Sequence, residues 1–260
     1  MKNHPLKETR TQLVYDLPMR LFHWLFAGLF VAAFLITKLV SSESATFSYH
    51  MLLGLTLAFT VLLRVGWGII GTKYSRFREL QLSPKSLLEY FKGILSGQSH
   101  RHLGHNPASS WVGLIMLGLS LGLAFTGYQM TSGGNKEAFE DIHEIMANSF
   151  MILAVLHVLG IVLHTVRHKE LIGLSMVDGK KMPVSGQDGI RSASPIVAVL
   201  FLLLVGVFAT RVWAGYDQQK QTLNLFGTTL QLGENEGNEH GDAGEAGDKE
   251  NKGDHDGDDD

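Results

Sequence analysis

The sequence predicts an all-α membrane protein: a four-helix transmembrane bundle, then a fifth transmembrane helix and an acidic tail. Three observations predict it. Five apolar runs, at roughly 19–40, 49–71, 109–130, 146–167 and 195–214, each reach the ~20 residues that a helix needs to cross a bilayer. None of the five contains Asp or Glu, yet histidines recur within them and at their ends. The segment 233–260 holds twelve acidic residues, two lysines and two histidines and has no apolar run. Such a segment cannot bury enough apolar area to offset its ordering entropy, so disorder is expected from about residue 233. The expected organisation is a bundle over 1–182, a linker and fifth helix over 183–215, and a tail over 216–260.

The elements follow in order. The first run follows LVYDLPMRLFHW, is longer than a signal-peptide core and ends without a small-residue cleavage site, so it reads as a retained helix. Lys2, Lys7, Arg10 and Arg20 place the N-terminus in the cytoplasm. The second run returns inward, and the loop over 72–108 is basic, with Lys73, Arg76, Arg78, Lys85, Lys92 and Arg101. Within it, SPKSLLEYFKGILS has a Ser-Pro start and helical apolar spacing, which predicts a surface helix over 83–96. After the third run, 131–145 reads as an acidic outer loop, with Glu137, Glu140, Asp141 and Glu144. The fourth run ends at Arg167, His168 and Lys169, and the fifth at an outer interface marked by Arg211 and Trp213. Every loop agrees with one orientation, the N-terminus inside and the C-terminus outside.

The histidines carry the chemistry. His143 and His157 are fourteen residues apart, which puts them within about 40° on one helix face and about 21 Å apart along the axis. Ionisable groups in a membrane helix face the bundle interior and serve a function. Axial ligation of two stacked haems is such a function, because haem iron takes neutral imidazole nitrogens. A pair of buried, hydrogen-bonded histidines is the alternative. His23, near the inner end of the first helix, and His50, near the outer end of the second, supply two more imidazoles at matching ends. The expected pairs are His50 with His143 and His23 with His157.

His164 matches the depth of His23 better than His157 does. It lies only about 10 Å from His157 along the helix, too close for both to carry haems. It stays open as a replacement for His157, as a quinone-site residue, or as plain packing. Arg20, three residues before His23, and Arg64, fourteen after His50, are candidate partners for anionic propionates, with snorkelling to the interface as their alternative. His100, His102 and His105 in SHRHLGHNP lack nearby Cys or carboxylate companions for a metal.

The chain contains no cysteine, which excludes covalent c-type haem, iron–sulfur clusters and thiol catalysis. No catalytic triad, phosphate loop or nucleic-acid surface is present.

Four pieces together resemble one family: VYDLPMRLFHW, YHMLLGLTLAFTVLLRVGWGIIG, RHLGHNP and the HE…LH…H pattern of the fourth helix. Over about residues 13–182 the chain is similar to the bacterial cytochrome b561 family of di-haem membrane cytochromes, related to the cytochrome b subunit of nickel–iron hydrogenases. The resemblance implies two non-covalent b-type haems on His23, His50, His143 and His157. It also implies four core helices and electron transfer between a quinol pool and a redox partner. The expected function is transmembrane electron relay between quinol and a periplasmic protein such as a c-type cytochrome. A haem-bearing anchor for a dehydrogenase or hydrogenase is the alternative. A metal-ion transporter using intramembrane His is the reading from another class, and it lacks the intramembrane carboxylates such sites use.

Overall fold

The computed structural model describes residues 11–98, 101–132 and 135–232. Five long helices form the body: α1 (Leu17–Leu39), α2 (Ser48–Ile70), α4 (Pro107–Thr131), α5 (Lys136–His168) and α7 (Pro195–Ala214). Each is long and apolar enough to cross a membrane. Two short helices, α3 (Pro84–Ser96) and α6 (Ser175–Asp178), lie between them. The N-terminus expectation rests partly on Lys2, Lys7 and Arg10, and the disorder expectation on 233–260. Both stretches lie outside the described residues, as does His100.

The helix starts are written in the local sequence. Asp16, Ser83, Asn106 and Asn135 each accept a hydrogen bond from a backbone N–H of the first turn, with Pro following at the first or second helical position of α1, α3 and α4. A side-chain acceptor there satisfies an otherwise orphaned donor, and proline lacks only an N–H that would go unused. One boundary differs from expectation. The acidic stretch before the fourth apolar run is not a loop, because α5 begins at Lys136, behind the Asn135 cap. Glu137 in its first turn suits the positive end of the helix dipole. His143 is therefore held on a regular helix together with His157.

α1 packs along α2 and α4 along α5, with α2 joining the pairs through α4; α7 lies against α2 and α1. The central core is Phe22, Phe26, Phe30, Leu57, Val61, Phe150, Phe201 and Val205. The end of the bundle where α1 starts is called proximal here, and the other end distal.

At the proximal end, β1 (Gln12–Leu13) pairs antiparallel with β2 (Lys180–Lys181), Gln12 opposite Lys181. The turn before β2 needs Gly179. Its φ is +80°, and a Cβ there would lie 2.5 Å from the Tyr15 carbonyl oxygen. Asp16 ties this end together. It is fully buried, and beside capping α1 it accepts hydrogen bonds from Trp67 Nε1 (3.1 Å), Thr72 Oγ1 (2.6 Å) and Ser75 Oγ (2.9 Å).

The distal end holds a feature the sequence reading assigned to the tail. Residues 216–231 form a three-stranded antiparallel sheet, β3 (Tyr216–Asp217), β4 (Thr222–Leu225) and β5 (Thr228–Gln231). Leu223 and Leu230 of the sheet pack on Leu52 of α2 and Val212 of α7. Alternation along β4 and β5 turns those leucines inward and the polar neighbours outward.

Candidate cofactor site

His50 and His143 meet at the distal end, with ring centroids 6.0 Å apart and planes at 73°. A metal about 2 Å from one nitrogen of each ring would set the ring centres about 6 Å apart. Both imidazoles are held by the same device. His50 Nδ1 lies 3.0 Å from the Ala33 carbonyl oxygen, which can only accept, so Nδ1 carries the proton. His143 Nδ1 lies 2.8 Å from Thr126 Oγ1. The same imidazole also hydrogen-bonds the Leu123 backbone carbonyl, which can only accept, so the ring N–H on this side is the donor and the Thr126 hydroxyl, bonded within its own helix to the Gly122 carbonyl at 3.0 Å, stands beside it. In both residues Nε2 is therefore the unprotonated nitrogen. An imidazole whose far N–H is fixed by a carbonyl or hydroxyl is the usual state of a metal-binding histidine.

His23 and His157 sit half-buried towards the proximal end, with the charge of His157 felt at His23. His23 meets the edge of Trp24 at 5.3 Å. The same end of the bundle holds cations with unused donors. Arg64 is only 4% exposed, and its Nε and Nη1 are buried without a hydrogen-bond partner; Arg20 Nε and Arg76 Nε are also orphaned. The Arg64 guanidinium carbon lies 5.0 Å from the Phe77 ring centre and 5.8 Å from that of Phe22. Buried unpaired N–H groups cost free energy, and anionic carboxylates such as propionates would satisfy them. Arg76 escaped the sequence reading because it lies in a loop with several other basic residues.

A second buried polar group underlies this end. His105, from RHLGHNP, packs at 5.3 Å against the Tyr15 ring. Burial, and then the positive charges of Lys181, Arg64 and His157, push its pKa down to about 3, so it is neutral at ordinary pH. Lys181 donates to the Gly104 carbonyl at 2.9 Å and to Tyr15 Oη at 3.2 Å. Its burial lowers it to about 8 against the opposing pull of Glu170. His164 lines a crevice with Arg101, His102, Glu170 and Lys181 of about 10 Å³, room for one water. Its Nδ1 has no partner, and its ring lies 4.5 Å from that of His168.

The donor set fits an iron porphyrin. It offers imidazoles with a bare Nε2 in an apolar bundle and unpaired guanidinium N–H groups for propionates. Among the described residues no group of three or more His, Asp or Glu converges as a cation site.

A family model described as "Prokaryotic cytochrome b561" matches residues 14–179. A protein of Escherichia coli K12 named "Probable Ni/Fe-hydrogenase 1 B-type cytochrome subunit" is 25% identical over 142 residues, 46% of this chain and 60% of the relative. One of Rhizobium leguminosarum bv. viciae named "Probable Ni/Fe-hydrogenase B-type cytochrome subunit" is 23% identical over 223 residues, 70% of this chain and 93% of the relative. The chain thus spans about 60% of the length of the E. coli relative. No solved structure matches the chain.

Proposed function

The chain belongs to the prokaryotic cytochrome b561 family, and we propose that it is a haem b membrane electron-transfer protein that relays electrons across the inner membrane through two b haems. His50 and His143 bind one haem at the distal end. His23 and His157 bind the other at the proximal end, with Arg20 and Arg64 on its propionates. The observation that carries this reading is the tethering of both distal imidazoles through Nδ1, which leaves two Nε2 atoms free at one place. Bound haem supplies a one-electron iron couple. The chain's part is to fix ring orientation, to neutralise the propionates and to exclude water between the helices.

In this reading the proximal end is cytoplasmic and the distal end periplasmic. Quinol is the membrane-soluble donor, with His164, whose buried Nδ1 is unpaired, as the candidate partner for a quinone carbonyl. The soluble partner is a periplasmic c-type cytochrome or similar redox protein. The relatives named as hydrogenase B-type cytochrome subunits favour a second reading, in which the chain anchors a hydrogenase or dehydrogenase and carries its electrons.

The test is the dithionite-reduced spectrum and haem-to-protein ratio of the purified chain, beside His143→Ala and His157→Ala. The expected result is a b-type spectrum at about two haems per chain, falling to about one in each variant. Full haem content in His157→Ala would move the proximal ligand to His164. Absence of haem from the folded wild-type protein would overturn the reading.

A further inference from the structure

Residues seven apart on an α-helix lie within about 20° of one line and about 10.5 Å apart along the axis. Three helices use this interval. Phe30 follows His23 by seven residues on α1, Leu57 follows His50 by seven on α2, and Phe150 stands midway between His143 and His157 on α5. The same interval continues on α2 from Leu57 to Arg64. All three midway residues belong to one buried cluster. Phe150 is the single buried residue of α5, and its ring stacks on Phe30 at 3.8 Å and meets Phe26 at 5.6 Å. Phe22, Phe26, Phe30 and Phe34 continue the aromatic column along α1 at 5.1 and 6.0 Å.

Much of the apolar surface of α5 faces outward, among it Ile152, Val155, Leu159 and Val162, while Met151 and Ala154 pack, partly buried, on the same cluster as Phe150. Its one buried side chain, stacked on Phe30 of α1, thus falls at the level halfway between its two histidines. We propose that Phe150, layered with Phe30 and Leu57, is the positioning residue that sets the separation of the two cofactor sites. The stacked rings fill the space into which either macrocycle would otherwise shift, and they keep water and polar groups out of the gap. This rests on the two-haem reading above.

Two haems at fixed separation couple their Soret transitions, and a circular-dichroism couplet reports their distance and angle independently of turnover. Wild type is measured first. A chain with fewer than two haems ends the two-haem reading, whereas two haems with a couplet leave the spacer open to test. The variants are Phe150→Ala, Phe150→Leu and the outward-facing control Val155→Ala. In Phe150→Ala both haems are retained, the couplet grows and the two midpoint potentials move further apart, because the sites close in. Dipolar coupling falls steeply with distance, so an approach of about 1 Å on the roughly 21 Å spacing changes the couplet by about a tenth. Phe150→Leu shifts both readouts the same way by less, and it decides alone if the Ala protein does not assemble. Two haems with couplet and potentials unchanged in the Phe150 variants would overturn the proposal, as would an equal shift in Val155→Ala.

Discussion

Thr126 shows how much one hydroxyl decides. Its hydroxyl bonds to its own helix and stands 2.8 Å from His143 Nδ1, so together with the Leu123 carbonyl it holds the direction of the ring. Thr126→Val keeps the shape and removes the hydroxyl. In the two-haem reading the expected outcome is a loss of about tenfold or more in affinity for the distal haem, with the proximal haem unchanged, read by titrating haem into the apoprotein. Asp16 is the other decisive residue. Removing its carboxylate in Asp16→Ala uncaps α1 and strands donors on Trp67, Thr72 and Ser75. A loss on the order of 3 kcal/mol in detergent unfolding is expected. The histidines themselves were legible, because an imidazole inside an apolar run is conspicuous. Their tethers were not. Ala33 and Thr126 are each seventeen residues from the histidine they hold, on a different helix, and only the packing register brings them together. Asp16 was legible as a cap before Leu-Pro, but its bonds to Trp67 and Thr72 span more than fifty residues.

At the scale of elements, the loop that enters α4 behaves as a buried polar clamp rather than a surface connection. His105 has a folded pKa of about 3 against an ordinary value of 6.5, because burial and nearby cations disfavour its charged form. Below pH 6.5 the unfolded chain takes up a proton that the folded chain refuses, so stability from this group is full above 6.5 and declines as pH falls towards 3. Unfolding midpoints measured across pH 7 to 4 should fall in wild type, and the fall should be shallower in His105→Leu. Lys181 works in the other window. Its lowered pKa of about 8 makes the fold gain stability as pH rises from about 8 towards 10.5. The distal sheet supplies a contrasting case. Its β4–β5 turn puts Phe226 at φ 52° before Gly227 at φ 84°, a backbone that Asn-Gly adopts without strain. Phe226→Asn should stabilise the hairpin by about 1 kcal/mol, visible as slower hydrogen exchange in β4 and β5. The five spans were readable from length and polarity alone, but this sheet was not. Its strands are four residues or fewer, and its leucines find partners only on α2 and α7.

On the scale of the whole molecule, charge is divided along the chain. The 72–108 loop and the residues after α5 are rich in Lys and Arg, while the chain beyond the distal sheet carries twelve acidic residues against two lysines. The proposed relay would need an approach path for its soluble partner as well as a cofactor ladder. A dense negative segment that follows the distal sheet in sequence would raise the local concentration of a cationic protein and steer its approach. Such steering is long-ranged and weakens as the Debye length shrinks, from about 30 Å at 0.01 M to about 10 Å at 0.1 M ionic strength. Electron exchange with a basic c-type cytochrome should therefore slow steeply with salt in the full chain. A chain ending at Leu232 keeps the sheet and both histidine pairs, so its haem content and potentials should be unchanged. Its rate at low salt should fall by about tenfold or more and become nearly independent of salt. Equal rates and equal salt slopes for the two chains would remove the tail from partner capture. They would turn attention to the second reading, in which a subunit bound at one end of the bundle makes diffusional capture unnecessary.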